Sequence, residues 1–114
     1  MNRYRSLLYF LIVMSAILMS SCKKDKLDPV CSGDTPSYNN TIKVIIDNSC
    51  TMSGCHGLNS DNGDFTTYLK LKPYLDNGHL KKHVLKKQDM PVGFKLTQEE
   101  LNLIQCWVEN DYAE

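Results

Sequence analysis

The stretch Cys50-Thr51-Met52-Ser53-Gly54-Cys55-His56, followed by Gly57, constrains this chain more than any other. It puts two thiols and an imidazole within one short turn of backbone, and whatever fold forms must give them a common partner. Covalent haem attachment is one such partner. Each thiol adds to a vinyl group of the porphyrin, and the imidazole after the second cysteine reaches the iron. The commonest spacing of that signature is C-x-x-C-H; here four residues intervene, Thr51 to Gly54. A small disulfide loop, Cys50 to Cys55, with His56 an ordinary polar residue, satisfies the same residues, so both readings stand at this level.

The N-terminal residues read as a targeting segment. Arg3 and Arg5 precede an apolar run from Leu7 to Met19, shorter than the roughly 20 residues that a membrane-spanning helix needs. Ser20 and Ser21 then lead into Cys22, an arrangement that resembles the lipobox of bacterial lipoproteins, with Met19 where leucine is more usual. Residues 1–21 are therefore expected to be a lipoprotein signal peptide, with Cys22 the lipidated first residue of the mature chain. A signal peptide cleaved nearby, or a retained anchor, is the alternative. On the lipoprotein reading the protein is expected in the bacterial cell envelope, lipid-anchored to a membrane and facing the periplasm or the exterior.

Export puts the remaining cysteines in an oxidising compartment, where unpaired thiols are uncommon. With lipid on Cys22 and haem on Cys50 and Cys55, Cys31 and Cys106 are left to form a disulfide across the domain. A haem-free chain with two disulfides also leaves no thiol over. Charge separates few functions: 13 basic residues face 13 acidic ones, without the clustered basic surplus that nucleic-acid binding needs.

Residues 22–38 read as a tether, with Lys23, Lys24, Asp25, Lys26 and Asp28 solvated and Pro29, Gly33 and Pro36 opposing regular structure. Residues 39–114 are expected to form one helical domain. A first helix over about 40–48 follows from Ile42, Ile45 and Ile46 at helical spacing, capped by Asn39 or Asn40. The β-branched run 42–46 also suits a strand. A polar loop with Asn62-Gly63 turn chemistry comes next, then Phe65, Tyr68, Leu69 and Leu71 as apolar surface. Pro73 is expected in the first turn of a short helix reaching Asp76, with Gly78 as its stop. A further helix over about 80–87 would turn Leu80, Val84 and Leu85 inward. Thr97-Gln98-Glu99-Glu100 is a capping box opening a helix whose stripe is Leu101, Ile104 and Val108, with Trp107 and Tyr112 beside it. That helix is expected to pack on the first.

Between those last two helices lies Met90-Pro91-Val92-Gly93, where proline and glycine keep the backbone extended and leave a thioether free to reach a metal. His/Met ligation of haem iron raises the reduction potential; a methionine packed in a core or exposed in a loop is the plain alternative. The whole series, from the Cys…Cys-His-Gly segment through Met-Pro to a Leu-Thr-x-x-Glu-x-x-x-Ile-x-x-Trp-Val helix, resembles a small class I cytochrome c domain over about residues 40–112. The resemblance implies an all-α fold around one covalent haem c, held by Cys50 and Cys55, with His56 the proximal and Met90 the distal iron ligand. The long Cys–Cys spacing, and Val92 where a second proline is frequent, depart from that pattern.

His79 and His83 are four apart and would share a helix face, able to hold zinc or copper, although no further ligand lies near them in sequence. One of them is also a candidate to replace Met90 as sixth ligand. Lys81, Lys82, Lys86 and Lys87 form either a solvated helix face or a docking surface for an acidic redox partner. The expectation is thus a membrane-anchored mono-haem electron carrier, without acid, base or nucleophilic catalysis and so not an enzyme, with an unidentified redox partner. A haem-free, disulfide-stabilised lipoprotein serving as a binding or structural module is the competing class.

Overall fold

The computed structural model describes residues 35–114 together with Tyr4, Cys31 and Gly33. The expected signal peptide, the lipidation site Cys22 and most of the tether lie outside the described residues. Among the described residues the regular structure is entirely helical: α1 (Tyr38–Ile42), α2 (Lys43–Ser49), α3 (Tyr68–Asp76), α4 (Lys81–Lys86) and α5 (Gln98–Glu109). None of these helices is long and apolar enough to cross a membrane.

The Ile42–Ile46 segment is helix, not strand. It begins earlier than the asparagines suggest, because Ser37 is extended and its N–H donates to the Asn40 side chain at 3.0 Å. The first turn is wound wide, with Ile42 N–H reaching the Ser37 carbonyl at 3.1 Å, the i→i−5 pattern of a π-turn. Ile42, Ile45 and Ile46 are buried while Val44 is exposed, as a one-faced helix requires. Tyr38, at the end of the expected tether, is also buried, and so is Pro36. The globule therefore starts before residue 38.

Pro73 departs from expectation. Helix α3 starts at Tyr68, where the Thr67 side chain accepts the Lys70 N–H, so Pro73 lies inside the helix and not in its first turn. The ring removes the N–H that would have bonded the Leu69 carbonyl, and Leu69 stands in solvent. Buried Leu71 and Leu75, one helical turn apart, hold the helix through that gap. Each contributes about 1.5–3 kcal/mol of transfer free energy.

The capping box of α5 forms as its sequence predicts: Glu100 N–H donates to Thr97 Oγ1 at 3.2 Å and Thr97 N–H to Glu100 Oε2 at 2.8 Å. Ile104, Trp107 and Val108 are buried, and α5 packs on α1 and α4. Tyr38 lies between Tyr68 and Trp107, with ring centroids 5.2 and 6.3 Å away. The C-terminal residues close this corner, the Ala113 carbonyl accepting both Tyr38 N–H at 2.8 Å and Trp107 Nε1–H at 2.7 Å. A disulfide joins Cys31 to Cys106, tying the incoming chain to the buried face of α5.

Candidate functional site

Helix α2 ends at Cys50, whose N–H still bonds the Ile46 carbonyl at 2.8 Å. The four residues after it are consumed in a turn: Cys55 N–H donates to the Met52 carbonyl, and His56 N–H returns to the Cys50 carbonyl, both at 2.9 Å. Gly54 makes this possible with φ +80, a region costly to residues carrying a Cβ. Gly57 packs so closely that a Cβ there would lie 3.0 Å from the Thr51 carbonyl oxygen. The Ser60 hydroxyl donates to the Cys55 carbonyl and closes the far side. Cys50 and Cys55 are not disulfide-bonded and both are half-buried. Burial, and secondarily the neighbouring Cys55, pushes the Cys50 thiol up to about 12. It therefore stays protonated at neutral pH.

The His56 imidazole is fixed from two sides. Its Nδ1 lies 3.3 Å from the Gly63 carbonyl oxygen. A carbonyl only accepts, so the proton sits on Nδ1 and Nε2 keeps its lone pair. The ring stacks on Phe65, with centroids 4.0 Å apart and planes within 3°, and Phe65 meets Tyr74 edge-on at 4.9 Å. The Phe65 N–H also donates to the His56 carbonyl at 2.9 Å. This is the arrangement that metal-ligating histidines use: one nitrogen tied by an outer partner, the other open.

Beneath the turn lies a cavity of about 600 Å³, bounded by Cys50, Cys55 and His56 on one side and by His79, His83 and Met90 among the remaining walls. Its other walls are largely apolar, with Ile46, Phe65, Leu80, Val84, Leu96 and Ile104 contributing. That volume falls in the roughly 300–1,000 Å³ range of cofactor and small-molecule sites. The Met90 segment is non-helical and Gly93 has φ +91. Met90 is more than a third exposed while bordering the cavity.

The structure thus gathers the four residues singled out as haem-holding, Cys50, Cys55, His56 and Met90, around one cavity. Their chemistry fits a covalently held haem: two unpaired thiols, an imidazole with a free Nε2, a thioether and an apolar lining. Among the described residues no group of three or more His, Cys, Asp or Glu side chains is placed to hold a bare metal ion. His79 and His83 meet edge-on with ring centroids 5.7 Å apart but have no third ligand of that kind among the described residues. Lys81, Lys82, Lys86 and Lys87 are all exposed.

Sequence reasoning missed three contributors. Gly63 was legible only as a turn glycine, yet its carbonyl sets the His56 tautomer. Phe65 was legible as an apolar residue but not as the plate beneath His56. Asp89 carried no signal at all, and its carboxylate lies 2.8 Å from His83 Nδ1. Comparison of the chain with protein-family models, curated proteins and solved structures finds no match to any of them.

Proposed function

We propose that this protein is a lipid-anchored c-type cytochrome carrying single electrons outside the cytoplasm, with one covalent haem in the cavity under the Cys50–Gly57 turn. The observation that carries the reading is the convergence on that cavity of both thiols, Met90 and a His56 whose Nδ1 is held by a backbone carbonyl. Cys50 and Cys55 would hold the porphyrin through thioethers, His56 Nε2 and Met90 Sδ would be donors to its iron, and Cys22 would carry the lipid. The haem, when bound, supplies a one-electron change at iron. The chain's own residues do the rest. The apolar walls limit water and so help set the potential. The Gly63 carbonyl raises the basicity of His56, and Phe65 holds its plane. No side chain acts as acid, base or nucleophile in this reading. The redox partner would be acidic if Lys81, Lys82, Lys86 and Lys87 steer its approach.

The test is mass spectrometry of the denatured protein purified from an exporting, haem-attaching host, with the alkaline pyridine spectrum beside it. One haem added and no residual vinyl is the expected result. A chain without haem and with a Cys50–Cys55 disulfide overturns the reading and leaves a binding or structural module. Membrane fractionation of Cys22→Ser tests the anchor.

A further inference from the structure

His56 is not the only histidine in the cavity wall with one ring nitrogen engaged. His83, on α4, is about one-third exposed at its side chain, and its Nδ1 lies 2.8 Å from Asp89 Oδ1. An ionised carboxylate only accepts, so in the neutral ring the proton sits on Nδ1 and the Nε2 lone pair is open. A carboxylate is one of the usual outer partners of a metal-ligating imidazole, and it raises ligand basicity. His79, by comparison, is exposed, and its backbone N–H donates to Asn77 Oδ1 at 3.0 Å.

His83 is also tied to the segment that carries Met90. Its carbonyl accepts from Asp89 N–H at 3.1 Å and from Met90 N–H at 3.4 Å. Gln88, with φ +51, makes the left-handed reversal that folds 89–90 back onto the end of α4. Two side chains able to donate to iron, a thioether and an imidazole, therefore stand on one hydrogen-bonded corner and border the same cavity.

We propose that His83 is a second distal iron ligand of this site, taking the sixth coordination position through Nε2 when Met90 does not hold it. The inference rests on the covalent-haem reading above. The exchange would break one sulfur–iron bond and form one nitrogen–iron bond, with no electron transferred and the proton staying on His83 Nδ1, hydrogen-bonded to the Asp89 carboxylate. Because imidazole favours the oxidised iron more than a thioether does, the exchange lowers the reduction potential.

The experiment uses the haem-loaded mature protein and reads the ferric absorption and electron paramagnetic resonance spectra, with haem attachment checked by mass in each variant. Met90→Ala is expected to lose the near-infrared sulfur-to-iron charge-transfer band but to remain low-spin, with a bis-imidazole signature and a lowered potential. Met90→Ala/His83→Ala is expected to become high-spin, and added imidazole to restore the low-spin spectrum, which separates a lost ligand from a lost fold. Met90→Ala/His79→Ala is expected to match Met90→Ala. A high-spin Met90→Ala protein with haem attached overturns the role of His83 and leaves the cytochrome reading intact. So does a low-spin Met90→Ala/His83→Ala protein. A wild-type chain carrying no haem overturns both.

Discussion

Gly63 is where the site and the stability of the domain meet, and its replacement by alanine gives the sharpest test of the geometry. Its φ is +104, and a Cβ built on its backbone would lie 2.5 Å from Tyr74 Oη and 2.6 Å from Cζ. The backbone strain alone costs about 1–2 kcal/mol for a residue with a Cβ. The overlap falls on an aromatic ring held against Phe65 at 4.9 Å, and relieving such overpacking costs about 1–3 kcal/mol more. Gly63→Ala is therefore expected to lose about 2–5 kcal/mol, equivalent to a fall in Tm of about 8–40 °C for a domain of this size. Gly78→Ala is the control, because Gly78 has φ +73 with open space around its Cβ position; it should lose only about 1–2 kcal/mol. Urea unfolding of both variants with the disulfide intact measures the difference. If Gly63→Ala is no less stable than Gly78→Ala, the placement of Tyr74 over the His56 loop is wrong, and with it the reasoning that locks His56.

Reduction of Cys31–Cys106, which spans a sequence separation of 75, should lower stability by about 4 kcal/mol on the chain-entropy account; an unchanged urea midpoint under reductant refutes it. Tyr38→Phe should be neutral or stabilising by about 1–2 kcal/mol, because the buried Tyr38 hydroxyl finds no hydrogen-bond partner among the described residues; a loss of stability in the thermal melt would show that the hydroxyl is satisfied. Asp64 is held well below the usual carboxylate range, first by Lys70 and then by Thr66 and the Asn59 N–H. Since the folded value lies below the unfolded one, its stabilisation is complete above about pH 4 and lost as pH falls through the folded value. Asp64→Asn should thus be destabilised at pH 7 and converge on wild type in acid, whereas a pH-independent difference in midpoints contradicts that origin.

What was legible in the sequence is what one segment decides by itself. The α5 capping box needs only Thr97 and Glu100, and the Ile42-Ile45-Ile46 stripe needs only its spacing, so both are present at their expected places. Pro73 shows where such local reading fails. Its intrinsic cost inside a helix is real, but Leu71 and Leu75 of the same helix are buried in the core, a gain that the segment read alone does not display. The candidate site divides the same way. Cys50, Cys55, His56 and Met90 carry chemistry in their residue types. The groups that orient the histidines do not: a glycine carbonyl holds His56 and an aspartate holds His83. Any residue has a carbonyl, and surface aspartates are common, so composition gives neither away.

The extra residues between the cysteines look at first like the weakest part of the cytochrome reading, since the vinyl groups of a haem are a fixed distance apart. Length along the chain is not the quantity that matters, however. What matters is where the chain stands when it reaches Cys55 and His56. Helix α2 delivers Cys50 with its N–H still paired to Ile46, and Thr51 N–H shares that carbonyl at 3.2 Å. The insertion then doubles back through Met52–Cys55, and the His56 N–H meets the Cys50 carbonyl at 2.9 Å. The backbone after the loop is thus hydrogen-bonded to the residue that began it, so the additional length projects outward as a turn, with Met52, Ser53 and Gly54 exposed. Because Gly54 sits at φ +80 with nothing within 4 Å of a Cβ, its constraint is conformational and not steric. An asparagine, which tolerates the left-handed region, should keep the loop where a β-branched residue would open it. The number of residues in such a loop can therefore vary while His56 N–H stays bonded to the Cys50 carbonyl, provided the insertion closes on itself before the second cysteine.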